Sequence, residues 1–335
     1  SDGYVDRASS DLNSIYTSIA KRWGSGRFSI TSLRGSERTY QSWFGIPQFV
    51  TNENVTDADI DDWVMNSSEY GYGFDIERLD DLKERGRQHN YYNYKDEVDN
   101  YAQNHLQLHF EQDLGMASMA VSLFSTLGAG YYEQFRSNDA FSVYGLEAPM
   151  YSDSISPEAT NVIRRRWLDN TLAGGLVNFD LPLGEVDVQF GGAYSNYSGD
   201  HFGELIWMEH AADVLPGTRY YDNVGDKQDG SAYVRGSYDL MDEKVRLQAE
   251  LQTRYVTYST SGVDADLREI SIADTLLFFN PKFGFDVLLS ESSRAFASVA
   301  IANREPARSD YLDSPNSGSV NPEHLKDFEL GYKYV

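Results

Sequence analysis

The sequence predicts an all-β fold, a transmembrane antiparallel β-barrel, from three observations. Apolar and polar residues alternate in long runs, as in Val245, Leu247 and Leu251 against Arg246 and Glu250, which gives a strand one apolar and one charged face. The runs suit the roughly 9–11 residues that a strand needs to cross a bilayer, whereas soluble strands have about 5–6. Short and long connections alternate, as in outer-membrane barrels with short periplasmic turns and long extracellular loops.

The alternation recurs along the chain and predicts about 11 strands. Clear runs occupy 105–111, 119–129, 186–190, 232–239, 245–255, 283–289, 295–301 and 327–334. The predicted short turns are 24–26, 114–116, 182–184, 241–243 and 290–293, which carry glycine, proline, serine or acidic residues. The predicted long connections are 44–95, 135–159, 198–228, 260–273 and 307–322, and loops of this length are uncommon in compact soluble domains.

The first long connection carries two helix signals. Thr56, followed by Asp57 and Asp59, has the pattern of a capped helix with acids in its first turn. Within 75–85, Ile76, Leu79 and Leu82 recur at helical spacing. This connection therefore forms either two short surface helices or a disordered acidic loop.

Composition narrows the class of protein. The 335 residues contain no cysteine, which excludes disulfides and thiolate metal sites, and aromatic residues reach 14%, as interfacial girdles require. The net charge of −24 disfavours nucleic acid as a partner. This charge either keeps long surface loops solvated or forms an acidic mouth that gathers cations. No enzyme motif such as Gly-x-Ser-x-Gly or a glycine-rich phosphate loop is present, so we expect neither an enzyme nor a cofactor.

Several segments together resemble the TonB-dependent outer-membrane receptors, in particular those common in Bacteroidetes-type Gram-negative bacteria. The resemblance covers nearly the whole chain and is strongest at its end, where ANREPARSDY (302–311) is followed by NPEHLKDFELGYKY (321–334). Further similar segments are 1–14, 35–47, 167–175, 191–207, 220–229 and 278–284. Each segment alone is a weak signal, and their common order makes the resemblance specific.

The resemblance implies a barrel of about 22 strands that is filled by a plug domain and lies in the outer membrane. Such a monomeric receptor imports a scarce nutrient with energy from the TonB complex, most often a ferric siderophore and next cobalamin. About 11 strands are half of that barrel, so we expect residues 1–335 to be a partial barrel domain without its plug and last strands. A passive or adhesive barrel without TonB coupling and a soluble all-β protein are the alternatives.

The resemblance also singles out an Arg and a Glu on the barrel wall. At the matching positions, Arg304 and Glu329 are expected to face the plug and join the ion-pair network that holds it. Strand parity places Glu329 on the lumen face, opposite Phe328 and Leu330. The alternative is an ordinary ion pair of the lumen wall.

Candidate ligand contacts come from the long connections. Aromatic and histidine side chains offer stacking surfaces with a few polar groups, which suits siderophore or corrinoid binding; the alternative is girdle or loop packing. The candidates are Trp43, Trp63, Tyr91, Tyr92, His201, Trp207, His210, Tyr220 and Tyr221.

The sequence offers only weak metal candidates. Residues 222–229 include Asp222 and Asp226 but fail the EF-hand pattern, so a turn of Asx and Gly residues is expected there. His105 and His109 share one strand face about 13 Å apart, too far to bind one metal, and are expected to be hydrated lumen residues.

Overall fold

The computed structural model describes residues 2–52, 54–66, 76–151, 156–211, 213–241, 244–314 and 320–334. These form eleven strands in one antiparallel sheet, in which each strand pairs with its neighbours in sequence. The strands are β1 Ser10–Trp23, β2 Gly26–Tyr40, β3 Val98–Asp113, β4 Ser118–Ala140, β5 Ala159–Leu183, β6 Val186–Met208, β7 Thr218–Leu240, β8 Val245–Val263, β9 Glu269–Ser290, β10 Ser293–Arg304 and β11 Glu323–Tyr334. The predicted strand count and antiparallel topology are confirmed.

The two faces of the sheet differ as the alternation predicts. One face carries rows of apolar side chains, such as Ile30 opposite Leu108 and Leu108 opposite Leu123. Leu123, Leu251 and Phe328 are 51%, 48% and 76% exposed on it. Because leaving apolar surface in water costs about 25 cal/mol per Å², this outer face suits lipid.

The opposite face is polar, and we call it the lumen face. His105 and His109 lie there, with Nδ1 atoms 2.9 Å from Thr126 Oγ1 and 2.8 Å from Ser122 Oγ. These bonds cross from β3 to β4, so the histidines belong to a hydrogen-bonded wall, as expected of lumen residues. Among the described residues, no helix is long and apolar enough to span a membrane.

The strands are longer than predicted, and several predicted connections are wrong in extent. β6 continues to Met208 and β7 begins at Thr218, while β8 ends at Val263 and β9 begins at Glu269. Most of 198–228 and 260–273 is therefore strand, and β4 and β5 likewise extend into 135–159. The 25 residues of β5 span about 80 Å at about 3.3 Å each, far more than the roughly 30 Å hydrocarbon layer. Beyond the lipid the outer face turns polar, so the hydropathy pattern fades although the backbone ladder continues.

The described part of the longest connection, residues 41–52, 54–66 and 76–97, forms a small folded unit that we call the loop module. It contains α1 Asp57–Asn66 and α2 Ile76–Arg85, so of the two alternatives left open by the sequence the short helices are the ones that form. Thr56 N–H donates to Asp59 Oδ2 at 2.8 Å, and Asp59 N–H donates to Thr56 Oγ1 at 3.3 Å, a reciprocal cap. Ile60 and Leu82 are its buried core.

The loop module is tied to the segment that precedes β1. The Arg7 guanidinium donates to the carbonyl oxygens of Tyr92 at 2.8 Å and Asn90 at 3.0 Å. Asn90 Nδ2 in turn donates to the carbonyl oxygens of Asp6 at 2.8 Å and Gln41 at 3.1 Å. These buried and part-buried contacts hold the loop module against the segment that precedes β1.

The connection after β10 folds against the lumen face through a short helix, α3 Arg308–Asp313. Arg308 donates to Asn223 Oδ1 at 2.9 Å and Thr260 Oγ1 at 3.1 Å, and its guanidinium lies 3.2 Å from Asp264 Oδ1. Tyr311 donates to Asp274 Oδ2 at 2.6 Å. The start of this connection is thereby fixed to β7, β8 and β9.

Candidate functional site

A lateral row of lumen residues is formed by the register of five strands. Asp99 of β3 is opposite Tyr132 of β4, and Tyr132 is opposite Arg166 of β5. Arg166 is opposite Gly203 of β6, which is opposite Tyr221 of β7. A methyl group on Gly203 would collide with the rings of Tyr220 and Tyr221, so glycine lets Tyr221 approach the guanidinium. The row places one carboxylate, two phenols and one guanidinium side by side.

Arg166 is held by aromatic groups instead of an acid. Its Nη1 donates to Tyr132 Oη at 2.8 Å, and its Cζ lies 5.5 Å from the centre of the Tyr221 ring. Its buried Nε makes no hydrogen bond to any described residue, and no described carboxylate lies within ion-pair distance. Arginine stays protonated at all relevant pH values, so Arg166 presents a permanent positive charge that no described carboxylate neutralises.

Arg164 is a second unneutralised cation on the same strand face. Its Nη2 and Nε donate to Gln134 Oε1 at 3.0 Å and 3.3 Å, and it forms no ion pair with a described residue. By contrast, Arg165 between them lies on the other face and pairs with Glu133 at 2.7 Å. Strand parity therefore divides three consecutive arginines into one outer residue that is neutralised by Glu133 and two lumen residues without an acidic partner among the described residues.

Two chambers meet at Tyr132 and Arg166. The inner chamber has a volume of about 500 Å³, and its lining includes Glu37, Asp99, Tyr132, Arg166, Tyr221 and Arg308. The outer chamber, about 650 Å³, lies under the loop module, and its lining includes Trp43, Phe44, Tyr92, Glu97, Arg164 and Arg166. Each volume falls within the roughly 300–1,000 Å³ typical of ligand sites.

Glu97 is a buried acid in the wall of the outer chamber. It is 2% exposed, and its Oε2 accepts the Phe135 N–H at 3.1 Å. Burial raises the pKa of Glu97 from 4.5 to about 7, against the opposing charges of Arg136 and Arg78. The carboxyl therefore changes charge near neutral pH.

His201 lies in the inner chamber. Burial lowers the pKa of His201, and the charge of Arg308 acts in the same direction. The imidazole is thus neutral at pH 7 and offers one donor and one acceptor to a ligand.

The predicted ligand contacts divide between the chambers and other surroundings. Trp43, Tyr91 and Tyr92 line the outer chamber, and His201 and Tyr221 line the inner one. Trp63 packs on Phe49 inside the loop module, with ring centres 4.9 Å apart. The remaining three are elsewhere: Tyr220 packs against Tyr144 in a buried cluster, His210 contacts Tyr151, and Trp207 is opposite Ile163 on the outer face.

Arg304 and Glu329 are not brought together by the structure. Arg304 pairs with Glu323 at 2.8 Å, with both side chains exposed, and Ser298 Oγ donates to Glu329 at 3.4 Å. Both lie on the lumen face, six positions apart in register, about 20 Å at about 3.3 Å per residue. Whether either faces a plug stays a prediction.

The connected charge network of the lumen face lies on neighbouring strands. Arg254 bridges Asp229 at 2.5 Å and Glu305 at 2.7 Å, and Glu305 also pairs with Lys227. Sequence reasoning missed this network. Two features of the sequence could have indicated it. Strand alternation places Arg254 and Asp229 on the lumen face, and an acid, Glu305, directly follows Arg304.

The predicted turn at 222–229 is wrong, because these residues lie within β7. Asp222 and Asp226 sit four residues apart on one strand face, about 13 Å, and Asp222 pairs with Arg219. They therefore cannot share a metal ion. The part of the chain that the structure describes holds no group of three or more potential ligands.

Tyr132, Arg164 and Arg166 were also missed by sequence reasoning. The available signal was the run Arg164-Arg165-Arg166 in a chain with a net charge of −24. Alternation places the first and third of these on one face, but only the strand register shows which residues lie beside them.

Comparison with known proteins identifies the family. The family model described as "TonB dependent receptor-like, beta-barrel" matches residues 12–335. The chain belongs to this family. No curated protein gives a significant sequence match. The family is one of receptors, and its barrels lie in the outer membrane, so the resemblance drawn from the sequence is confirmed.

Solved structures of an import receptor and of two transporters share the fold at low identity. The ferric-catecholate import receptor Fiu from E. coli K12 has a TM-score of 0.64 and 13% identity, covering 99% of this chain and 50% of that one. The ferric citrate transporter FecA has 0.62 and 10%, covering 99% and 42%. The copper transporter OprC has 0.59 and 12%, covering 97% and 43%. This receptor segment therefore spans about half the length, or less, of those proteins.

Proposed function

We propose that the protein containing this chain imports an anionic ferric siderophore across the outer membrane with energy from the TonB complex. The observation that carries this proposal is the pair of lumen arginines, Arg164 and Arg166, without an acidic partner among the described residues. In a chain with 52 acidic and 28 basic residues, acids are available to neutralise them. That no described acid is paired with these two arginines suits a ligand that brings its own negative charge.

The chamber walls fit the chemistry of such a ligand. Ferric catecholates and carboxylates are aromatic or planar and carry several negative charges. Phenol rings of Tyr132 and Tyr221 offer stacking surfaces beside the guanidinium of Arg166, and Arg–oxyanion hydrogen bonds are stronger than neutral ones. Two of the structural neighbours named above carry ferric complexes, which agrees with this choice. Cobalamin is less well suited, because the amides around a corrin ring are neutral.

The proposal includes partners outside this chain. TonB would act through a plug domain carried elsewhere in the protein, and residues 1–335 would form part of the barrel domain around it. On this proposal, Arg304 and Glu329 on the lumen face are candidates to contact the plug. A passive barrel would have no use for these contacts, and its transport would not depend on TonB.

Binding to the full-length protein tests the ligand class. A ferric tris-catecholate is titrated while intrinsic fluorescence is recorded, with wild type, Arg164→Gln and Arg166→Gln. Each variant should bind about tenfold more weakly, because a hydrogen bond to a charged group contributes about 1.5–3 kcal/mol and 1.4 kcal/mol is tenfold.

Arg246→Gln is the matched control, since Arg246 pairs with Asp239 near a short turn and away from both chambers. It should bind like wild type. Equal affinity of wild type, Arg164→Gln and Arg166→Gln would contradict the proposed ligand class.

A further inference from the structure

The inner chamber has walls of opposite charge. Arg166 lies on β5, while Glu37 of β2 and Asp99 of β3 lie on the other side of Tyr132. Asp99 and Arg166 are two strands apart in the same row, which corresponds to about 10 Å at about 4.8 Å per strand. A single small molecule can therefore touch both walls.

Glu37 and Asp99 have no cationic partner in the part of the chain that the structure describes. Neither Glu37 nor Asp99 forms an ion pair with a described residue, whereas Glu133, Asp264 and Glu305 each pair with an arginine. Burial raises the pKa of Asp99, and the charge of Glu37 raises it further. Two neighbouring carboxylates repel each other when both are ionised, and a positive group bound beside them would relieve this repulsion.

We propose that the ligand of the inner chamber carries a protonated amine in addition to its anionic iron-binding centre. The anionic centre lies against Arg166 and the ring of Tyr132, and the ammonium group lies against Asp99 and Glu37. This inference rests on the proposed function, because it specifies which class of ferric siderophore the chamber selects.

The acidic wall suits an ammonium group better than a bare metal ion. Calcium takes six to eight oxygen ligands and magnesium an octahedral set, whereas the described residues provide no cluster of three or more acidic or histidine ligands at this wall. An ammonium group has three donors and can be bound by two carboxylates. The separation of about 10 Å between Asp99 and Arg166 then sets the distance between the positive and the negative charge of the ligand.

A matched pair of ligands tests the proposal on the full-length protein. One is a synthetic ferric tris-catecholate with an aminoalkyl arm, and the other is the same complex with the amine acetylated. Wild type should bind the free amine about tenfold more tightly, as expected for a close charge pair. The double variant Glu37→Gln with Asp99→Asn should bind both complexes equally, and Asp99→Asn alone should lose part of the preference.

The double variant Asp239→Asn with Glu250→Gln is the control, since both acids pair with cations outside the chambers. It should keep the wild-type preference. Equal binding of the two complexes by wild type, with affinity still dependent on Arg166, would overturn this inference and leave the proposed function standing. Failure of wild type to bind either complex would overturn both.

Discussion

Replacing Glu97 by Gln tests the buried carboxyl beneath the loop module. Glu97 is 2% exposed and accepts the Phe135 N–H through Oε2. Its backbone carbonyl also accepts the Gln41 N–H at 2.8 Å, so the residue joins the start of the module to β3 and β4. Glutamine keeps the size and the acceptor oxygen of the side chain but cannot ionise.

The expected magnitude follows from the pKa. Burial raises the pKa of Glu97 from 4.5 to about 7, so the closed module binds the proton more tightly than an opened one. Its contribution to stability is fully present below pH 4.5 and is lost as the pH rises through 7. At about 1.4 kcal/mol per pH unit, the loss is on the order of 3 kcal/mol. Glu97→Gln should therefore stabilise the closed module at pH 8 by up to that amount and leave it unchanged near pH 4.5.

Amide hydrogen exchange of the full-length protein measures this opening. Peptides from 41–52 and 133–140 should exchange up to about 100-fold more slowly in Glu97→Gln than in wild type at pH 8, and at similar rates at pH 5. Comparing the two proteins at each pH removes the intrinsic pH dependence of exchange. Glu77→Gln, an exposed position on α2, is the control and should match wild type. A ratio of the wild-type to the Glu97→Gln exchange rate that stays constant from pH 5 to pH 8 would show that ionisation of Glu97 does not open the loop module.

Two further substitutions test the connections that pack over the lumen. Leu82→Ala removes a fully buried side chain from the loop module and should reduce the stability of the module by about 2–5 kcal/mol. Amide exchange should therefore rise in α1 and α2, while β4 and β5 keep their protection. An equal loss of protection in the helices and the strands would contradict an independent core. Tyr311→Phe removes the 2.6 Å hydrogen bond to Asp274, worth about 1.5–3 kcal/mol to a charged acceptor. Exchange should rise at 305–314 only, and unchanged protection there would show that this bond does not fix α3.

The strands were predictable because lipid imposes the alternation. Leu247 and Arg246 point to opposite faces, and a chain that crosses a bilayer has to repeat that pattern. Strand ends were not predictable, because outer-face residues such as Asp200 and Ser259 lie beyond the apolar region and give no hydropathy signal. The helix at Thr56 was predictable because its cap is a local interaction between Thr56 and Asp59.

The candidate site was less predictable than the fold. Tyr132 and Arg166 are 34 positions apart in sequence, and their contact depends on the register of β4 with β5. This register includes an irregularity between Arg136 and Asp139, which period-two alternation alone cannot locate. Trp63 shows a different limit of the sequence. We expected this aromatic residue of a long connection to contact a ligand, but it is part of the core of the loop module.

Uptake of radioactive iron by cells tests TonB-dependent import of a ferric siderophore most directly. The full-length protein is expressed in an iron-starved host that lacks its own ferric-catecholate receptors, with TonB present or deleted. On the proposed function, we expect uptake of a ferric tris-catecholate that requires TonB and falls in the double variant Arg164→Gln with Arg166→Gln, but not in Arg246→Gln. Uptake that continues without TonB, or that is the same in the double variant, would contradict it.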